Sequence, residues 1–201
     1  AVSVLCVDKT GTITTNQMEV VDTWSIDKNE YDLCKFMGFA CEVDAYDPME
    51  KAMIFYCEKL GVSKKELFSG KLIKEYPFTN ELKMMGHVWE KDNEIILASK
   101  GSPEKILTIC SLDDISKEKI KDKALEMSHQ GFRVIAVASK KYDAASSVPD
   151  DLTDCLLDFC GLIGLEDPPR ESVKNDISTC NKAGIRVVMI TGDNGSTASA
   201  I

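Results

Sequence analysis

Long apolar runs are missing from this chain. Nowhere does it hold the roughly 18 consecutive apolar residues that a membrane-crossing helix needs, and no basic stretch leads into an apolar one as in a signal peptide. The chain is therefore expected to work in water, and any membrane part of a longer polypeptide would lie elsewhere. Basic charge is also scarce: 24 Lys and Arg stand against 33 Asp and Glu, a net charge of −9. That balance argues against a nucleic-acid partner, because such binding rests on cations neutralising phosphates, but it leaves room for a single nucleotide in a local pocket. There are only two histidines, His87 and His129, and the eight cysteines include no Cys-x-x-Cys pair, so a zinc site or a disulfide framework is not expected. Cys6, Cys57, Cys110 and Cys180 fall within apolar patterns and are expected to pack as reduced thiols. Neither histidine has a partner nearby in sequence, and neither receives a role. Repeats and low-complexity tracts are absent.

What the chain does have is ordinary globular composition. It has 201 residues, 44% hydrophobic and 28% charged, enough for one large or two small domains. Val2 to Val7 is a nearly continuous apolar run, expected to be a buried strand of a parallel sheet. Met18 to Ile26 alternates as a strand does, and Tyr31 to Glu42 reads as helical. Asp47-Pro48-Met49-Glu50 carries a helix start, with Asp as N-cap, Pro at the first position and Glu at the third. Gly61 closes that helix. Leu72 to Phe78, Met84 to Glu90 and Glu94 to Ser99 read as an antiparallel meander, with Asp92-Asn93 as a turn. Helices are expected from Ser102 and from Ser116, the latter ending at Gly131. A buried strand follows at Val134 to Ala138, then a surface loop from Asp143 to Asp154 and a strand from Leu156 to Leu165. Asp167-Pro168-Pro169 must be extended. A helix from Glu171 to Ala183 leads into a second buried strand, Arg186 to Ile190. The pattern is a strand and polar loop at the front, a matching pair at the back, and a long α+β stretch between, as when one domain is inserted into another. The abrupt start on a strand, and the stop at Ala198 to Ile201 within a helical pattern, suggest a piece of a longer chain.

Two of these strands run into polar loops rich in chemistry: Asp8-Lys9-Thr10-Gly11-Thr12 and Thr191-Gly192-Asp193. In open α/β sheets, ligands bind at the carboxyl ends of strands. A carboxylate there can attack an electrophile or hold Mg²⁺ through oxygen, and loop N–H groups can cradle a phosphoryl group. The same residues also make plain turns, so the spacing alone leaves both readings open.

The string Asp8 to Thr12, continued by Ile13-Thr14, resembles the phosphorylation motif of the P-type ATPases. Further segments resemble that family in its own order. They are Asp47-Pro48-Met49-Glu50, Phe78 with Lys83 and Met84, Lys100-Gly101-Ser102-Pro103-Glu104 (Ser where the family has Ala), Gly131-Phe132-Arg133-Val134, Asp167-Pro168-Pro169-Arg170 and Thr191-Gly192-Asp193. The resemblance implies an α/β and α+β fold. A nucleotide-binding domain (an antiparallel sheet flanked by helices, residues 24–158) would be inserted into a partial Rossmann-like domain of the haloacid-dehalogenase type, formed by 1–23 and 159–201. It implies that Asp8 accepts the γ-phosphate of ATP, and that Mg²⁺ meets Asp8 and the Thr10 carbonyl. Lys9 belongs to the same catalytic loop, and Thr191, Gly192 and Asp193 lie on the phosphate side. Phe78 and Lys83 would stack and flank the adenine, with Lys100 and Gly101 in the pocket. Glu50 would lie near the base, although as third helical residue it equally fits a capping box. Arg133, Asp167 and Arg170 would contact phosphate or ribose, although each also fits a surface ion pair.

The motifs further resemble the type-II cation pumps, which include calcium pumps. The implied parent is an integral membrane protein that couples ATP to cation movement, with this region on the cytoplasmic face. Its partners would be ATP, the transported cation and the actuator and membrane domains of the same polypeptide. The later Lys and carboxylate pair of the haloacid-dehalogenase site are expected beyond residue 201, so this piece is expected to bind nucleotide without turnover. Two rivals stand beside this reading. One is a soluble haloacid-dehalogenase phosphatase, which usually carries a second Asp two residues after the nucleophile, where this chain has Thr10. The other is a non-catalytic nucleotide-binding module.

Overall fold

The structure, a computed structural model, describes residues 2–27 and 29–192. Six strands form one antiparallel sheet: β2 (Glu19–Trp24), β3 (Lys71–Tyr76), β4 (Met84–Lys91), β5 (Glu94–Gly101), β6 (Arg133–Tyr142) and β7 (Asp158–Glu166), in the order β2-β7-β6-β5-β4-β3. β1 (Val4–Asp8) and β8 (Arg186–Ile190) pair in parallel as a separate two-stranded sheet. Among the described residues there are six α-helices: α1 (Glu30–Phe39), α2 (Pro48–Lys59), α3 (Lys64–Leu67), α4 (Pro103–Ile106), α5 (Asp114–His129) and α6 (Val173–Lys182).

Alternation along the strands builds two cores. On one face Trp89, Ile96, Ala98, Val137 and Ile163 pack against Leu33 and Met37 of α1 and Met53 and Cys57 of α2. On the other, Val88, Leu97, Ala136, Ala138 and Leu162 pack against Ile106 of α4 and Ile120, Ala124 and Met127 of α5. Both faces of the central strands are dry, so these strands read as continuous apolar runs instead of apolar and polar in turn. Trp89 satisfies its indole N–H on the Phe39 carbonyl at 2.8 Å, so the largest core side chain leaves no buried polar group unpaired.

Local signals in the sequence act as anticipated at most element ends. Asp47 accepts the Met49 N–H at 2.7 Å and Pro48 opens α2, while Gly61, at φ +87°, closes it in the left-handed region. Asp92 and Asn93 both have positive φ, the signature of a tight hairpin turn between β4 and β5. α5 begins two residues before Ser116, because Asp113 is the cap and Ser116 N–H is what it holds, at 2.7 Å. The helix from Ser102 is shorter than its start suggests, passing into a 3₁₀ turn after Ile106.

Two expectations of burial are not met. Val4 and Leu5 are 49% and 40% exposed, and β8 is at best half-buried. α6 packs along β8, with Val173, Ile177 and Cys180 as its half-buried face and its other residues exposed. Among the described residues α6 is the helix that packs on this two-stranded sheet, and apolar periodicity alone does not show how much of a strand other elements cover. Cys6, expected to be packed, is exposed as well. The six-stranded sheet takes in Glu19–Trp24 and Asp158–Glu166, so β2 and β7 run across the expected boundaries at 23/24 and 158/159.

All eight cysteines are free thiols. Burial pushes Cys41, Cys110 and Cys160 from 9.0 up to about 12. The unfolded chain releases these protons above pH 9, whereas the folded chain holds them to about pH 12, so stability is intact below pH 9 and falls as pH rises through that window. Urea midpoints measured between pH 8 and pH 11 should decline accordingly. Brief alkylation of the native protein should label Cys6 and spare Cys34, Cys41, Cys57, Cys110 and Cys155, while alkylation in denaturant reaches all eight. Native labelling of Cys41 or Cys57 would contradict the packing of the first core.

Candidate nucleotide and phosphoryl site

Asp8 is the last residue of β1, and the parallel register sets it beside Ile190, the last residue of β8. Two strand carboxyl ends, and the loops that leave them, therefore stand side by side. Asp8 itself is exposed. The loop from Lys9 to Ile13 is a single tight turn in which Gly11 takes φ +76°, a conformation costly for residues with a Cβ. Thr14 is its anchor: its Oγ1 accepts the Gly11 N–H at 3.2 Å and donates to Asp167 Oδ2 at 2.5 Å. Thr15 also reaches Asp167, at 3.3 Å. Arg170 closes the other side, donating through Nε to the Thr12 carbonyl at 3.1 Å and through Nη2 to the Gly11 carbonyl at 2.9 Å. Main-chain bonds from Thr15 N to Pro168 O and from Arg170 N to Ile13 O, 3.0 and 2.9 Å, stitch the two segments together. Asp167 and Arg170, placed by sequence among phosphate and ribose contacts, are thus engaged in holding the Asp8 loop in shape.

A cavity of about 520 Å³ opens beside this loop. Lys9, Thr10, Asp167, Gly192 and Arg133 line it, together with Asp47 to Met49 at the start of α2. Lys9 is buried and Thr10 exposed. Thr191 is half-exposed next to Gly192, and Asp193 lies outside the described residues.

A second cavity, of about 710 Å³, lies further along the sheet and shares Asp47 and Met49 with the first as a common wall. Its floor comes from strand alternation. Met85 pairs with Lys100, and His87 with Ala98, so these side chains share the face that carries α1 and α2. Lys100 is only 7% exposed. Its ammonium donates to Glu50 Oε1 at 2.6 Å and to the Ala40 carbonyl at 2.5 Å, and lies 3.0 Å from Met85 Sδ. Glu50 is equally buried and takes the Glu42 N–H on its second oxygen, at 3.3 Å. It therefore serves the pocket and not a capping box. Gly101 has no room for a side chain: a Cβ there would sit 2.5 Å from the Lys83 carbonyl and 2.5 Å from Met84 Cβ. That close approach lets Ser102 N–H bond Lys83 O at 2.9 Å and fixes the loop after Phe78. Phe78 stands at the cavity mouth, 54% exposed, an aromatic face offered to solvent. Lys83 is exposed, with φ +51°, and does not line the cavity.

Of the residues anticipated from sequence, the structure gathers Glu50, Phe78, Lys100 and Gly101 at one cavity. Lys9, Thr10, Arg133, Asp167 and Gly192 gather at the other. Sequence reasoning missed Met49, Met53 and Ile135, which make the apolar walls of the second cavity, and His87. The alternation of β4 carried a signal for His87, because it places that residue in phase with Met85.

Residues 44–172 match the family model described as P-type ATPase, cytoplasmic domain N. The chain belongs to the P-type ATPases. Among curated relatives of this P-type ATPase chain, the "Calcium-transporting ATPase 1" of Bacillus cereus is 34% identical over 232 residues, covering 100% of this chain and 26% of the relative. The "Probable cation-transporting P-type ATPase" of Mycoplasma genitalium is 33% identical over 212 residues, covering 100% of this chain and 24% of the relative. The "Sodium/potassium exporting P-type ATPase cta3" of Schizosaccharomyces pombe is 34% identical over 166 residues, covering 77% of this chain and 16% of the relative. The chain thus spans about a quarter of the length of the first two. Among the described residues of this P-type ATPase chain, no helix is long and apolar enough to cross a membrane.

The Lys100–Glu50 pair makes a clear energetic prediction. Removing one partner leaves the other charge buried, which costs about 3–5 kcal/mol, whereas neutralising both with side chains of similar volume is far milder. Glu50→Ala and Lys100→Ala should each lower urea stability by about 3 kcal/mol or more, and Glu50→Gln combined with Lys100→Met by clearly less than their sum. Additive losses would show that the two charges act independently.

Proposed function

We propose that this chain is the ATP-binding and phosphorylation region of a cation pump. The base would enter the larger cavity over Phe78 and Met85, beside Lys100 and Glu50, and the phosphates would run past Asp47 and Met49 to the Asp8 loop. The observation that carries this reading is the shared wall: two cavities, one with an exposed aromatic and one beside the loop that follows Asp8, share Asp47 and Met49 at the start of α2. That is the layout a molecule with a flat base at one end and a reactive phosphate at the other requires.

In the reaction proposed, an Asp8 carboxylate oxygen attacks the γ-phosphorus, the bond from that phosphorus to the bridging β–γ oxygen breaks, and ADP leaves with its electron pair. The product is an aspartyl-phosphate on Asp8, and its turnover would be coupled to ion movement. Such a transfer is won mainly by positioning and charge neutralisation. Asp167 and Arg170 would act by keeping the loop taut; Lys9, Thr191 and Asp193 would meet the phosphoryl group, and Arg133 the ribose or phosphates. The donor set fits Mg²⁺: the exposed Asp8 carboxylate and the Thr10 main-chain carbonyl are hard oxygen ligands. When bound there, the ion supplies charge neutralisation to the phosphates.

The same reading assigns β1, β8 and α6 to a haloacid-dehalogenase-type domain into which the six-stranded unit is inserted. Hydrogen bonding within the larger sheet supports drawing the division near residues 18 and 167. It also assigns the parent to the type-II pumps, with this region on the cytoplasmic side of a membrane and joined to actuator and membrane domains. On this reading the chain by itself binds nucleotide without turning it over.

Titration calorimetry with ATP tests the base site. Phe78→Ala should weaken binding by roughly 1–3 kcal/mol, the worth of one base–aromatic stack, with no loss of thermal stability, because the ring is largely exposed. Unchanged affinity would remove Phe78 from the site. In the full-length pump, Asp8→Asn should abolish the acid-stable phosphoenzyme formed from γ-labelled ATP, and a labelled Asp8→Asn protein would refute Asp8 as acceptor.

A further inference from the structure

The larger cavity holds a feature that nucleotide binding does not use. Glu75 on β3 lies directly opposite His87 on β4, so their side chains share one face of the sheet. Glu42, just past the end of α1, comes down beside them, and one ligand atom from each of the three lies within 4.8 Å of the others. His87 is 1% exposed, yet Nδ1 has no hydrogen-bond partner and Nε2 meets Glu42 Oε1 only at 3.7 Å, beyond hydrogen-bond reach. A buried imidazole is normally satisfied through its ring nitrogens, so a ring lining a cavity without such a bond awaits a partner from the cavity.

The charge around it specifies which kind. The cavity is lined by Glu42, Asp44, Asp47, Glu50 and Glu75, while its cation, Lys100, is already committed to Glu50 and a carbonyl. At the corner where Glu42 and Glu75 converge on His87, a cation is the ligand that compensates the carboxylates. We propose that Glu42, Glu75 and His87 form a binding site for a divalent transition-metal cation of the zinc class, with an open coordination position facing the cavity. One nitrogen and two carboxylate oxygens are a donor set such ions accept. Bonds of about 2.1 Å in a tetrahedral ion set ligand atoms about 3.4 Å apart. The two glutamates reach that spacing by small rotamer changes, because both are exposed, while the buried ring stays fixed.

Co²⁺ is the probe, added to the purified chain without nucleotide. The expected result is one equivalent bound with visible d–d bands, no near-ultraviolet thiolate charge-transfer band, and quenching of tryptophan fluorescence, since the Trp89 ring lies 6.4 Å from that of His87. Glu42→Gln combined with Glu75→Gln should fold normally and weaken Co²⁺ by about tenfold or more, and His87→Gln should do the same. Absence of the bands overturns the site, as does a thiolate band or an affinity unchanged in the double glutamine variant. The readout involves neither ATP nor Phe78, so its failure leaves the nucleotide reading standing, and the reverse holds as well.

Discussion

The Lys100 ammonium is held out of water between the Glu50 carboxylate and the Ala40 carbonyl, and this one contact ties three elements together. It joins the end of β5 to the first turn of α2 and to the residue that ends α1. The floor of the larger cavity is therefore not free to drift relative to its helical wall. A buried charge tolerates no slack: if α2 shifts, the ammonium loses its compensation and the penalty is large. Rigidity at the site thus comes from electrostatics, and the apolar cores only need to supply the frame that keeps water out.

A second clamp works by hydrogen bonding where burial is unavailable. The Asp8 loop is at the surface, and among the described residues its small sheet is packed by α6. Its shape is imposed by Thr14, which accepts a loop N–H, and by Asp167 and Arg170, which hold Thr14 and two loop carbonyls from a segment more than 150 residues away in sequence. The two clamps meet at the start of α2, where Asp47 and Met49 border both cavities. A ligand spanning the cavities would bridge an electrostatically fixed half and a hydrogen-bonded half.

Much of this was legible from local chemistry. Caps and glycines marked helix ends because their backbone requirements are intrinsic, as at Asp47, Gly61 and Gly131. The Asp92-Asn93 turn and the meander it belongs to followed from the same kind of signal. Burial was less legible. Val4, Leu5 and Cys6 look like core residues in a one-dimensional pattern, but burial depends on a covering layer that periodicity does not encode. The motif residues were identifiable as a set, yet Asp167 and Arg170 serve the loop and Lys83 stands outside the cavity. A motif records which residues occur together and not which atoms they touch.

The sequence by itself determined the element types, the antiparallel meander, the family and the identity of the strand-end carboxylate, because each rests on local backbone preference or on a contiguous string. Only the tertiary structure decided that Glu50 meets Lys100 across 50 residues, that two cavities share a wall, and that Glu75 faces His87 with Glu42 beside them. Those outcomes depend on sheet register and on how helices settle over it. Register is fixed by the packing of both faces together, which no single segment of the chain contains.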